Sequence, residues 1–332
     1  MTDRMSRRER VMAGVRGEMT DRPAWSLWRH FYDAEYTAEQ LAERMVGWVQ
    51  RYQFDFMKVN PRAQYHVEVF GARYGQSDQE HVRGERIDYP IKRAEDWEKL
   101  EPRGLDAPAL TEQLAALRLI KAASRGELPF VETVFSPLGV AGYMVEDNQT
   151  LVRQIRENSA AVHHGLDVIA RTFAPFASAC LEAGADGVFF ATTRWASREL
   201  LTPEEYAEFG RPYDLQVLDA VKGASFNVLH VCDAQNMLLD LTDYPVQAWN
   251  WAATDPTNPG LADTTTLPGL KIGGLSAEVL TSEAPSMAAH AVERARVEAG
   301  DRGWALGPNC SIPSTSRDEN IRAAGRAIGV PV

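Results

Sequence analysis

Cysteine is nearly absent from this chain, with three in 332 residues, at positions 180, 232 and 310. So sparse and odd a number excludes a disulfide-stapled secreted scaffold and fits a reducing compartment. Positive charge is also scarce. Lys and Arg number 35 against 46 Asp and Glu, a formal net charge of -11. Such a chain has little to offer nucleic-acid phosphates or an anionic membrane surface. No apolar run reaches bilayer-spanning length, and the Arg-rich start, Met1 to Glu18, lacks the apolar core of a signal peptide. Internal repeats, low-complexity tracts and a linker long enough to separate two domains are missing as well. These absences predict a cytoplasmic protein of one domain, residues 1–332, that acts on small molecules rather than on nucleic acid or membrane.

A hydrophobic fraction of 45% is enough to bury a large core. Apolar runs of strand length fall at Ala24 to Trp28, Phe56 to Asn60, Phe130 to Phe135, Gly187 to Thr192, Ser225 to Val231, Gln247 to Trp251, Leu270 to Gly274 and Trp304 to Leu306. Helical periodicity fills the gaps, notably at Thr37 to Tyr52, Leu151 to Ala183, Pro203 to Val221, Ala277 to Ala299 and Arg317 to Ile328. Thr202-Pro203-Glu204 is a well-formed helix start. Eight strands interleaved with helices predict an α/β fold, a (β/α)8 TIM barrel whose chemistry sits at the carboxyl ends of the strands. An amphipathic helix beginning at Ser6 precedes the barrel. The stretch from about Arg62 to Arg103 has weak periodicity and reads as an insertion over the barrel mouth, placed to cover a substrate.

Two of the three cysteines stand at strand ends. Phe226-Asn-Val-Leu-His-Val-Cys232 places His230 and Cys232 two apart, on one face of a strand, and Trp304-Ala-Leu-Gly-Pro-Asn-Cys310 delivers Cys310 from another. An imidazole and two thiolates suit a tetrahedral zinc site, with the fourth position left for water or substrate. A substrate thiol bound there would be held as a thiolate at neutral pH, ready to accept an alkyl group. Cys180, mid-helix, reads as an ordinary buried cysteine. Asn60, Thr193 and His30 also fall near strand ends. Lys58, flanked by apolar residues, needs a partner or a function if it faces the barrel interior. Arg29 and His30 either bind a substrate anion or form a structural network with Tyr32 and Asp33. Arg194 joins the candidate cations, and Trp28, Trp195, Trp249 and Trp251 are candidates for an aromatic pocket wall.

Several short motifs occur in order along the chain. They are Arg7-Arg8-Glu9-Arg10-Val11 followed by Asp21-Arg22-Pro23, Phe135-Ser-Pro-Leu-Gly139, Leu201-Thr-Pro-Glu-Glu-Tyr206 with Arg211-Pro-Tyr213, Gly273-Gly-Leu275, and Gly307-Pro-Asn-Cys-Ser-Ile-Pro313. Together they resemble the uroporphyrinogen decarboxylase superfamily over nearly the whole chain. That superfamily contains decarboxylases of tetrapyrrole synthesis and corrinoid-dependent methyltransferases. The latter carry a zinc-binding His-x-Cys and a distant Cys, as do cobalamin-independent methionine synthases on a similar barrel. The resemblance therefore implies a zinc-dependent methyltransferase with His230, Cys232 and Cys310 as metal ligands and catalytic residues. It further implies a methylcorrinoid supplied by a partner protein, a thiol or small nucleophile as acceptor, and compatibility with a homodimer.

Departures from the pattern keep a second reading open. The carboxylate-gripping run of true decarboxylases is replaced by Leu27-Trp28-Arg29-His30-Phe31, and no Asp occurs from Asn60 to Gln64. The methyltransferase pattern often adds a Glu ligand from the strand after His-x-Cys; here that strand reads Ala248-Trp-Asn-Trp-Ala-Ala-Thr-Asp255, leaving Asn250, Asp255 or water to take its place. The Trp249-Asn250-Trp251 run is closer to the decarboxylase branch. The alternatives are thus a metal-free lyase in which Arg29, Lys58 and Arg194 converge on a carboxylated molecule, and a non-catalytic corrinoid or tetrapyrrole binder. Arg29, His30, Lys58, Asn60, Arg194, Trp249, Asn250 and Trp251 are the expected substrate-binding residues.

Overall fold

Ten strands appear in the computed structural model, which describes residues 4–264 and 266–332. They are β1 (Ala24–Trp25), β2 (Met57–Lys58), β3 (Arg73–Tyr74), β4 (Arg86–Asp88), β5 (Phe130–Phe135), β6 (Gly187–Ala191), β7 (Val228–Val231), β8 (Ala248–Trp251), β9 (Leu270–Leu275) and β10 (Trp304–Pro308). Eight of them, the eight expected from the sequence, form one sheet in the order β1-β10-β9-β8-β7-β6-β5-β2, with every pairing parallel. Two hydrogen bonds bring its first and last strands together: Asp55 N–H donates to Trp25 O (2.9 Å) and Ser26 Oγ donates to Phe56 O (2.7 Å). The sheet closes into a (β/α)8 barrel ringed by helices.

Alternation along the strands separates two apolar populations. Ala24, Phe56, Val131, Phe189, Val228, Ala248, Ile272 and Ala305 belong to a cluster inside the barrel, whereas Trp25, Met57, Phe130, Val188, Leu229 and Trp249 belong to the larger cluster beneath the helices. The helix Arg7–Val15 begins with the capping box of Ser6 and Glu9. Its Val11 joins the inner cluster, and Gly14 lies so close to Leu270 that an added Cβ would stand 2.9 Å from Cδ1. The helix therefore stops the end of the barrel opposite the chemistry. Its Arg10, fully buried, pairs with Asp55 at 2.6 Å and with Asp21 at 2.8 Å, and Arg22 takes the second oxygen of Asp55 at 2.6 Å.

Several expected helices are divided. Leu151 to Ala183 becomes Asn148–Glu157 and Ser159–Glu182 about Asn158, and Pro203 to Val221 becomes Pro203–Phe209 and Arg211–Asp219 about Gly210. Ala277 to Ala299 breaks before Pro285, because the residue preceding a proline is driven out of helical geometry. The helices Pro108–Ser124 and Pro137–Met144 were not among the expected segments. The insertion contains the helix Tyr65–Glu68 and the hairpin of β3 and β4, which is tied to the barrel by Arg86 donating to Val145 O (2.7 Å) and Glu146 O (2.6 Å). Among the described residues, no helix is long and apolar enough to cross a membrane.

Cys180 is buried in its helix, as expected. Near it and Tyr65 lies Glu132 of β5, on the outward side of the strand. Glu132 is fully buried and neither carboxylate oxygen has a hydrogen-bond partner among the described residues. Burial pushes its carboxyl well above the usual carboxylate range, with Lys58 opposing the shift. The folded protein thus holds a proton that the unfolded chain releases above about pH 4.3, so stability is lost as pH rises from there towards the folded value. Glu132→Gln, which needs no proton to stay neutral, should melt higher than the native chain at pH 8 by about 2–4 °C. Melting curves from pH 5 to 8.5 check this, and the gap should shrink towards pH 5.

Candidate metal centre and cavity

His230 faces the barrel interior from β7, and Cys232 follows one residue past that strand on the same side. Cys310 lies two residues beyond the end of β10, in the loop Asn309 to Ser311. The ligand atoms of these three residues lie within 4.8 Å of one another, and the two sulfurs are 3.5 Å apart. Two thiolates on one tetrahedral zinc would be separated by about 3.8 Å. Among the described residues this is the group of His, Cys and acidic side chains that fits a metal ion.

The imidazole is set from behind. Asn250 Nδ2 donates to Ile272 O and Pro308 O, both at 2.9 Å, so its Oδ1 is the end that meets His230 Nδ1 at 2.6 Å. Nδ1 consequently carries the hydrogen, and Nε2 keeps its lone pair for a metal. Asn250 is therefore behind the imidazole rather than in a ligand position. Asp255 accepts from the Thr257 backbone (2.8 Å) and hydroxyl (2.6 Å) within its own loop. The donor set suits zinc with one position left for an outside ligand.

The two cysteines behave as a unit. Cys232 donates to the sulfur of Cys310, which draws the Cys310 thiol well below its ordinary range against the effect of burial; His230 and Lys58 add to the lowering. The same contact, with burial, drives Cys232 up. Asp233, next in the chain, stands 3.5 Å from the Cys232 sulfur and pairs with Arg194 at 3.2 Å. Thr193, Asp233 and Gln235 all have positive φ (50°, 63° and 50°), so backbone strain gathers in the loops after β6 and β7 that border the site.

These groups open on a cavity of about 490 Å³. Of the residues expected from the sequence, His30, Lys58, Asn60, Thr193, Arg194, His230, Cys232 and Cys310 line it, with Trp28 and Trp195 in its wall. Arg29, Trp249, Asn250 and Trp251 do not. Trp249 and Trp251 alternate with Asn250 on β8, so they point into the helix layer, where their indoles donate to Pro268 O (2.6 Å) and Pro259 O (2.7 Å). Arg29 is consumed by Glu80, by Ser314 O (3.0 Å) and by stacking 4.6 Å over Phe31, which makes it a structural ion pair. His30 lines the wall with Nδ1 against Glu35 at 2.9 Å.

Sequence reasoning passed over His66, Arg83, Thr133, Phe135, Tyr143, Phe189, Asp233 and Ser311. Phe189 and Thr133 were accessible from strand alternation; Arg83, in the insertion, carried no periodic signal. His66 is held neutral, its pKa lowered to about 3 by burial, while Nδ1 donates to Ala63 O (2.9 Å) and Nε2 accepts from Phe135 N–H (2.9 Å). Lys58, buried in the wall, donates to Asn60 Oδ1 and sits 4.9 Å over the Phe189 ring. Burial lowers its pKa to about 8, with Cys310 foremost among the groups opposing that. Asn250→Leu, which leaves all three candidate ligands in place but frees the imidazole, should weaken binding of a divalent metal by about 10–100-fold. Competition against a chromophoric chelator measures it.

Relatives of this chain are named for two different activities. The chain is 32% identical over 144 residues to uroporphyrinogen decarboxylase of Hydrogenovibrio crunogenus, covering 42% of this chain and 40% of that protein. It is 27% identical over 147 residues to "Methylcobamide:CoM methyltransferase MtbA" of Methanosarcina mazei, covering 44% and 42%. The matches thus span about two fifths of the length of these curated relatives. Among solved structures, a methyltransferase from Methanosarcina mazei superposes with a TM-score of 0.84 at 19% identity, over 97% of this chain and 98% of that one. A B12-independent methionine synthase from Shewanella sp. W3-18-1 gives 0.58 at 10% identity, over 92% and 94%. Both likenesses concern the fold. The pattern described as uroporphyrinogen decarboxylase (URO-D) matches residues 8–329, and the chain belongs to that family.

Proposed function

We propose that this protein is a zinc-dependent methyltransferase that moves a methyl group between a corrinoid, carried by a separate protein, and a thiol or other small nucleophile. The observation that carries the reading is the convergence of His230 Nε2 and the sulfurs of Cys232 and Cys310 on one point beside an open cavity. Bound zinc would supply Lewis acidity that keeps an incoming thiol deprotonated at neutral pH. The chain's own residues then have mainly to align the reactants. Asn250 fixes the imidazole, Asp233 and Arg194 brace the loop after β7, and Trp28, Phe189 and Trp195 exclude water from the wall. The relatives named for methylcobamide support the choice of donor. In this reading the protein is a single unit working in the reducing cytoplasm, where free thiols persist.

The second reading, a carboxy-lyase, is favoured by the 32% identity to a uroporphyrinogen decarboxylase. It is weakened by the cavity itself: Arg29 lies outside and Arg194 is already paired with Asp233, which leaves only Lys58 and the exposed Arg83 as cations in the described lining. The two differ in what is released.

Protein purified without chelator should contain about one zinc per chain and convert methylcobalamin and a small thiol to the thioether, followed by mass spectrometry. Cys232→Ala and Cys310→Ala should each lose the metal and lower the methylation rate by roughly 100-fold or more. A chain that takes up no zinc, or variants that retain it in full, would overturn the reading. Carbon dioxide release from a carboxylated pyrrole would select the lyase instead.

A further inference from the structure

Beside the candidate metal position, the cavity wall holds hydrogen-bond donors that the protein does not use. Lys58 is 5% exposed and has no carboxylate within ion-pairing distance among the described residues; its ammonium donates only to Asn60 Oδ1. Since an ammonium can only donate, that contact fixes which end of the amide faces Lys58. Asn60 Nδ2 is then left over, in a residue 1% exposed, without an acceptor among the described residues. Both residues are on the inward side of the strand that contains β2, and both line the cavity. A buried positive charge and a buried amide donor side by side with no acceptor are costly unless something else completes them.

Among the described residues no carboxylate does so; the foremost negative group near Lys58 is the Cys310 sulfur, which belongs to the candidate metal position. Glu132 lies behind the sheet, because Val131 and Thr133 take the inward positions on β5. Glu35 is engaged by the His30 imidazole (2.9 Å) and the Phe31 backbone (2.6 Å). A divalent cation on the thiolates of Cys232 and Cys310 would leave that centre without net charge, so it would not neutralise Lys58 either. The positive charge remains available to a ligand.

We propose that Lys58 and Asn60 form a carboxylate-binding subsite, and that the small molecule used here carries a carboxyl group on a short apolar spacer from its reacting end. The two donors match the two oxygens of a planar carboxylate. The spacer is short because Ser311, the residue after Cys310, brings its hydroxyl to 3.4 Å from Asn60 Oδ1, so the subsite adjoins the metal position. It is apolar because the wall beside Lys58 is Phe189, packed edge-on against Trp28 at 5.4 Å. This inference rests on reading the cavity as the substrate site, but it does not require the metal.

The test uses propionate and its uncharged counterpart propionamide. Dissociation constants are measured by NMR titration on the full chain, as purified and again after chelation. Propionate should bind about tenfold more tightly than propionamide to the protein as purified, a preference of the size expected for a charge-assisted contact, and by a smaller factor after chelation, when the Cys310 sulfur faces Lys58 with no cation on it. Lys58→Met should reduce the ratio to about one, and Asn60→Leu should weaken propionate several-fold while leaving propionamide unchanged. Equal affinities for acid and amide on the native chain, which no variant's folding can confound, would overturn the proposal. So would a preference that survives Lys58→Met. Tighter binding of ethanesulfonate than of propionate would overturn the assignment to a carboxylate. An acid preference in a chain that never takes up zinc would sink the methyltransferase reading and leave this subsite standing.

Discussion

A closed parallel barrel sends successive side chains of each strand to opposite faces, and the chemistry of this protein depends on that alternation. His230 and Asn250 meet inside because each occupies an inward position on adjacent strands, paired in register. Trp249 and Trp251, one residue to either side, are carried into the helix layer by the same rule. The far end of the barrel is stopped by the first helix and by buried Arg10, paired with Asp55 and Asp21. Since Asp55 also donates its backbone N–H to Trp25, one residue both anchors that helix and helps bring β1 to β2.

The candidate centre draws on a strand and on two loops. His230 comes from a strand and is backed by an amide locked to two carbonyls. Cys232 and Cys310 come from just past strand ends; Asp233 and Gln235 beside Cys232, and Thr193 after β6, hold left-handed backbone. Such strain persists only where the surroundings enforce it, and here the Asp233 carbonyl is held by Asn258 Nδ2 at 2.9 Å. A site of this kind sets one fixed imidazole beside two sulfurs carried on loops.

The relatives of this chain include proteins named as a decarboxylase and as a methyltransferase, and a shared barrel does not by itself say which chemistry it carries. A decarboxylase of a many-charged tetrapyrrole needs several free cations around its substrate. In this cavity Arg194 is neutralised by Asp233, and Arg29 lies outside it on Glu80, which leaves buried Lys58 beside the sulfurs and exposed Arg83 in the insertion.

The barrel itself was legible in the chain, because strand-length apolar runs alternating with helical periodicity have few other solutions. So was the trio His230, Cys232 and Cys310: an i, i+2 pair and a distant cysteine at strand ends carry a direction and a chemistry that local sequence specifies. The breaks at Asn158 and Gly210, the hairpin of β3 and β4, and the placement of Arg83 at the cavity were not, because they are settled by packing against distant segments. Nor could the chain alone say that Arg29 is spent on Glu80, or that Asn250 backs an imidazole while its tryptophan neighbours do not reach the cavity. Sequence determined which residues the strands could offer. Tertiary structure decided which of them remained unpaired, since a charge or a hydrogen-bond donor is free for a ligand only when no partner from elsewhere in the fold has reached it first.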